Sequence, residues 1–182
     1  MVTCLLVIIV LLGFVNLPIN KFIISNNIGY KDQDSSTYNV NGISYNVPNK
    51  WRTIESDKGY YHYPYIENSD GLLYVYSENF GNTKDYDNLE ECYKSFIEGF
   101  KDSDDNEYFK MISEEPYKIL DKEGYKLKCK RIMGGVYFDV EMYFYLDTDT
   151  NTLYVFMFGI KDSIPSDISK NIKEIISSIK ER

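Results

Sequence analysis

YKLKCKRIM-GG-VYFDVEMYFYL-DTDTNT-LYVFMFGI, residues 125–160, is the stretch that decides the fold of this chain. Gly134-Gly135 is a two-residue connection that supplies the positive φ of a tight hairpin turn. With Met133 facing Val136, counting sets Cys129 opposite Val140, Leu127 opposite Met142 and Tyr125 opposite Phe144. On the other side Lys130 meets Asp139, Lys128 meets Glu141 and Lys126 meets Tyr143. One face is apolar and the other pairs opposite charges, and a slip by one residue would turn lysines into the core. Asp147–Thr152 reads as a turn, and folding it so that Leu146 faces Leu153 puts Phe144 on Val155, Met142 on Met157 and Val140 on Gly159. The opposite face then collects Tyr143, Tyr145, Tyr154, Phe156, Phe158 and Ile160, too much aromatic surface to stay bare. A helix of the same chain is expected to cover it, in preference to a partner or ligand.

The chain has 182 residues, 43% of them hydrophobic, and a formal net charge of −8. Once an amino-terminal segment is set aside, this is enough for one domain of ordinary size. The acidic balance argues against nucleic acid, because a phosphate-binding face needs clustered Lys and Arg to release counterions. Lys126, Lys128 and Lys130 form the one basic row, and Asp139 and Glu141 are placed to neutralise much of it. Eighteen tyrosines and no alanine read first as a composition bias and second as aromatic contact surface.

Val2–Leu17 (VTCLLVIIVLLGFVNL) is almost wholly apolar. Its inner run Cys4–Val15 has the length of a signal-peptide hydrophobic region, while the whole falls just short of a bilayer span of about 20 residues. No Lys or Arg precedes it and no small-x-small cleavage motif follows; a start further upstream would account for the missing basic flank. Residues 1–24 are read as an uncleaved membrane anchor in preference to a cleaved signal. Residues 25–36 are a polar linker, and 37–182 a single domain on the extracytoplasmic side, although Lys21 and Lys31 leave the orientation unfixed by the positive-inside rule. Cys92 and Cys129 fall on core faces, as buried free thiols or, in an oxidising compartment, as a disulfide.

Asn41-Gly42 lies between alternating runs and marks a hairpin that pairs Val40 with Ile43 and Tyr38 with Tyr45. Pro48 ends its second strand, and Trp51 follows in a turn or short strand, as a lid on the edge of the core. Gly59–Tyr65 and Leu72–Glu78 read as the next strands, joined through Asn68–Gly71. Asp87 or Asn88 caps a helix whose Leu89, Cys92, Tyr93, Phe96 and Phe100 form one stripe. Strands at Tyr108–Ser113 and Tyr117–Leu120 follow, with a turn at Lys122-Glu123-Gly124. A closing helix begins around Ser163–Asp167, buries Ile168, Ile172, Ile175, Ile176 and Ile179, and sets Lys180 and Arg182 at its cation-favouring end. The fold class is α+β: an antiparallel meander sheet of about seven strands with two helices against its aromatic faces.

The order of elements, the Val47-Pro48-x-x-Trp51 segment and the ending Ser177-Ser178-Ile179-Lys180 resemble the PsbP-like domains of exported prokaryotic proteins. That resemblance covers Thr37 to the end and implies an α/β/α sandwich around an antiparallel sheet. Plant members assist the oxygen-evolving photosystem, but the family offers no motif of functional residues to carry over to this chain, and so implies no activity for it.

Tyr60, Tyr61, His62, Tyr63 and Tyr65 make the most aromatic patch and the one candidate binding surface, a stacking platform for a sugar or peptide. Packing on both faces of a sandwich is the simpler account of the same residues. His62 is the only histidine, so any Ser/His/Asp or Cys/His unit would have to use it, and no nucleophile lies near it in sequence. One His and two scattered Cys offer no zinc spacing. Asp147-x-Asp149-x-Asn151 lacks the glycine and terminal glutamate of a calcium loop, having Thr152 and Phe158 there. No cofactor is expected. Two functions remain: a membrane-tethered, non-catalytic extracytoplasmic binding or accessory domain with an unidentified protein or envelope-polymer partner, or a hydrolase-like enzyme with a site near His62.

Overall fold

The computed structural model describes residues 35–64, 71–81, 88–101, 109–133, 136–161, 164 and 166–182. In chain order these form β1 (Ser35–Val40), β2 (Ile43–Pro48), β3 (Arg52–Ser56), β4 (Gly59–Tyr63), β5 (Gly71–Asn79), α1 (Leu89–Lys101), β6 (Phe109–Ile119), β7 (Lys122–Met133), β8 (Val136–Asp147), β9 (Thr152–Lys161), α2 (Ser166–Ser177) and β10 (Lys180–Glu181). The proposed anchor, the Gly134-Gly135 turn, the acidic Asp102–Asn106 loop and Tyr65 lie outside the described residues. So does most of the linker.

The central ladder is the one that counting gave. Cys129 faces Val140, Leu127 faces Met142, Lys130 faces Asp139 and Lys128 faces Glu141. Leu146 faces Leu153 and Met142 faces Met157. The β1–β2 hairpin likewise pairs Val40 with Ile43 and Tyr38 with Tyr45. All strands are antiparallel to their neighbours, in a large sheet of order β3-β4-β5-β9-β8-β7-β6 and a small one of order β1-β2-β10.

The large sheet carries a helix on each face. The Asn88 carboxamide oxygen accepts from the Glu91 N–H at 2.9 Å and caps α1. Cys92, Tyr93, Phe96 and Ile97 of that helix pack on Leu127, Cys129, Met142 and Phe144. On the other face Ile168, Ile172, Ile175 and Ile176 of α2 share a core with Tyr45, Val47 and Trp51 of the small-sheet region and with Tyr143, Tyr145, Tyr154 and Phe156. The aromatic face is thus covered by the chain itself, by a helix and also by a small sheet. Cys92 and Cys129 are buried free thiols, and burial raises both to about 12.

Of the turn or short strand expected beside Trp51, the structure has the strand, Arg52–Ser56, whose one apolar residue is Ile54. Three local expectations are corrected. The two strands read over 108–120 are one, β6, with a bulge between Met111 and Ser113. The β6–β7 turn is Leu120-Asp121, with φ of 54° and 62°, so Gly124 lies inside β7. A Cβ on Gly124 would come 2.3 Å from the Phe144 carbonyl oxygen, so the glycine serves close strand approach rather than turning. Finally, α2 stops at Ser177, and Lys180-Glu181 pairs with Ser44 and Ile43 instead of extending a helical end.

Two substitutions test this geometry by urea denaturation. Gly124→Ala should destabilise by about 2 kcal/mol or more, because backbone must move. Asp121→Gly should stabilise by roughly 0.5–1 kcal/mol by relieving a left-handed conformation at an exposed position.

Candidate functional site: a polar cleft between two hairpin tips

Strand alternation splits the aromatic patch of β4 between the two cores. Tyr61 stacks on Tyr74 at 4.3 Å between centroids, and Tyr63 lies under the Arg52 guanidinium, 4.6 Å from its ring centre. Both are buried on the α1 side. Their rings offer no open stacking face, in keeping with packing on both faces of the sheet. His62 points the other way and is 0% exposed. Its Nε2 is 3.0 Å from the Tyr45 hydroxyl and its Nδ1 is 2.8 Å from Thr53 Oγ1. Thr53 donates to the Tyr38 hydroxyl at 3.0 Å, so it accepts from Nδ1–H and leaves Nε2 to accept from Tyr45. The ring is neutral and satisfied, and burial pulls its pKa down to about 3.

Tyr60 of the patch lines a cleft that has a volume of ≈ 370 Å³. One wall is the β1–β2 tip, with Asn39 and Asn41; the other is the β3–β4 hairpin, with Glu55, Lys58 and Tyr60; the end of β5, Ser77–Asn79, completes it. Glu55 and Tyr60 are cross-strand partners. Burial raises the Tyr60 hydroxyl above its ordinary value, and the Glu55 carboxylate and Tyr38 add to that.

The cleft is braced from behind. Asn41 Nδ2 donates to Ser77 Oγ at 2.7 Å, while the Tyr154 hydroxyl donates to the Asn41 carbonyl. Lys58 Nζ meets Glu78 Oε1 at 3.1 Å, and the Tyr76 hydroxyl donates to the other Glu78 oxygen. Asn79 Nδ2 donates to Thr152 Oγ1 at 2.9 Å and to the Thr150 carbonyl at 3.1 Å. Gly59 fixes the β3–β4 tip against β5, since a Cβ there would stand 2.0 Å from the Val75 carbonyl oxygen. By contrast, the side chains of Asn39 and Glu55 and the Tyr60 hydroxyl hold no hydrogen bond among the described residues, although the three residues are paired in their strands.

A second cleft, ≈ 580 Å³, opens between the start of α1 and the β6–β7 and β8–β9 turns. Lys122 at its side reaches Asp147 at 2.5 Å and Asp149 and Glu181 at 3.5 Å, so its charge is spent on joining three elements. Asp147 also accepts from the Asp149 N–H at 3.1 Å and the Thr150 hydroxyl at 2.9 Å, which makes the Asp147–Thr152 segment a self-bonded turn. Sequence reading missed the first cleft because β3, which carries Glu55, has no alternating apolar signal. The glycine at 59 after Asp57-Lys58 was the one available mark of that hairpin.

No family model matches the chain, and no curated protein matches it. Among solved structures it is similar to cyanobacterial PsbP (CyanoP) from Synechocystis, with 13% identity, a TM-score of 0.62 and coverage of 85% of this chain and 96% of that one. It is also similar to the Ran-binding protein Mog1p of Saccharomyces cerevisiae (10% identity, 81% and 95% coverage, TM-score 0.57). A third is LpqN of Mycobacterium tuberculosis, involved in cell envelope biogenesis (12% identity, 82% and 86% coverage, TM-score 0.57). At these identities the likeness shows a shared PsbP/Mog1-like fold, in agreement with the architecture that the sequence resemblance implied.

The state of His62 has a measurable consequence. Unfolded, the imidazole takes up a proton near 6.5; folded, only near 3. Between these values the unfolded chain holds the extra proton, so stability falls as pH drops from 6.5 towards 3. The loss is up to about 1.4 kcal/mol per pH unit. Since no other histidine is present, the fall in urea midpoint from about pH 7 to about pH 5 should be largely abolished in His62→Gln. Equal falls in both proteins would show that His62 is not held neutral.

Proposed function

We propose that this protein is a non-catalytic binding or accessory domain, held at the outer face of the cell membrane by its apolar amino-terminal segment. The observation that carries the reading is His62. A histidine-dependent hydrolase needs an accessible imidazole with a nucleophile on one side and an orienting acid on the other. Here the ring is fully buried, and both of its hydrogen-bond partners are hydroxyls, those of Tyr45 and Thr53. The concave polar site lies elsewhere and does not include it. That Mog1p is a Ran-binding protein and LpqN takes part in envelope biogenesis supports a binding or accessory role on this fold. The anchor itself rests on Val2–Leu17; among the described residues no helix is long and apolar enough to cross a membrane.

Fractionation of cells expressing the chain with a carboxy-terminal tag, followed by protease treatment of intact cells, tests the placement. The expected result is membrane association with loss of the tag. A membrane-bound but protected tag would put the domain on the inner face, and a soluble, protected protein would overturn the anchor.

A further inference from the structure

We propose that the cleft between the β1–β2 and β3–β4 tips binds a saccharide that is neutral or amine-bearing. This rests on the binding-domain reading above and names the ligand class. The volume of ≈ 370 Å³ lies at the small end of the range for ligand sites, about 300–1,000 Å³, and suits about one or two sugar rings.

A sugar ring presents hydroxyls that both donate and accept, beside a patch of C–H groups that prefers the electron-rich face of an aromatic ring. The cleft offers both kinds of contact side by side. Glu55 supplies an acceptor carboxylate directly across the strand pair from Tyr60, whose ring packs on Tyr38 at 5.3 Å between centroids and turns its remaining surface to the cleft. Asn39, on the facing wall, supplies an amide that both donates and accepts. These three side chains come from β1, β3 and β4, and their polar ends are uncommitted among the described residues, while the lining groups behind them are already bonded to one another. Binding therefore breaks no side-chain hydrogen bond of these three among the described residues, and its cost is the ordering of the exposed Asn39 and Glu55 side chains.

Charge narrows the class. Glu55, Asp57 and Glu78 outnumber Lys58 at the cleft, on a chain whose formal net charge is −8. A sugar phosphate or uronate would meet repulsion, whereas an amino group would be attracted. An apolar ligand finds too little apolar lining. The second cleft does not compete, since Lys122 there is held by Asp147, Asp149 and Glu181.

Isothermal titration of the full chain in detergent tests the proposal, with chitotriose, the glucosamine trimer and maltotriose as probes and trigalacturonate as the anionic control. Saturable one-site binding of at least one of the first three is expected, with none for the control. Tyr60→Ala and Glu55→Ala should each weaken it about tenfold or more, while Tyr60→Phe keeps the ring face and most of the affinity. Unchanged urea midpoints identify variants that still fold. No binding by any of the three, binding indifferent to both alanine variants, or preference for trigalacturonate would each overturn the site. The titration uses purified protein and the protease experiment uses cells, so failure of the ligand class and failure of the membrane placement appear separately.

Discussion

In the middle of the large sheet Met142, Phe144, Val155 and Met157 face α1, while Tyr143, Tyr145, Tyr154 and Phe156 face α2 and the small sheet, all at 2% exposure or less. Burying a large apolar side chain contributes about 1.5–3 kcal/mol, against about 0–1 kcal/mol for an exposed ion pair. Dry contact on both sides of β8 and β9 is therefore what the other elements serve. One helix keeps water from one face. The other face, wider and more aromatic, takes a helix and three short strands. The Lys130–Asp139 pair at 2.8 Å is partly exposed, whereas Lys126 and Lys128, at 3.8 and 3.5 Å, converge on the buried Glu141, which also accepts from the Tyr143 hydroxyl.

Where the sequence carried two independent signals, it could be read to the residue. For β7–β8 these were apolar alternation and opposite charges in register, for β8–β9 the Asp147–Thr152 turn and the continued apolar face, and for β1–β2 alternation and Asn41-Gly42. Where only one signal existed, the reading slipped. Gly124 suggested a turn, but backbone approach to Phe144 needs the glycine, and the turn falls to Leu120-Asp121 without any glycine. β3 has neither alternation nor a turn dipeptide. The cleft was not legible at all, because polar residues at hairpin tips are the same residue types whether or not two tips meet in space. The tyrosines of β4 admitted two readings, a platform or packing on both faces, and period-two geometry sends alternate rings into different cores.

The large sheet leaves β3 and β6 as its edges. The β6 edge carries Glu114, Glu115 and Pro116 next to a bulge that leaves Ile112 52% exposed. Charge, a missing amide and a local twist all discourage a second strand from adding there. The cleft proposed here accordingly lies by the hairpin tips at the β3 edge, away from β6.

The small sheet is completed by segments far apart in the chain: the Asn46 N–H donates to Ser178 Oγ across 132 residues, and the Arg182 N–H donates to the Gly42 carbonyl at 2.9 Å. The large sheet has a similar join, since β5 pairs with β9 while β6, β7 and β8 lie on the far side of it. Closing loops of that size costs entropy before any contact offsets it, and such topologies fold slowly. The consequence is that β5 and β2 each pair with a strand made much later in the chain, β9 and β10, so one edge of each stays open until synthesis is nearly complete.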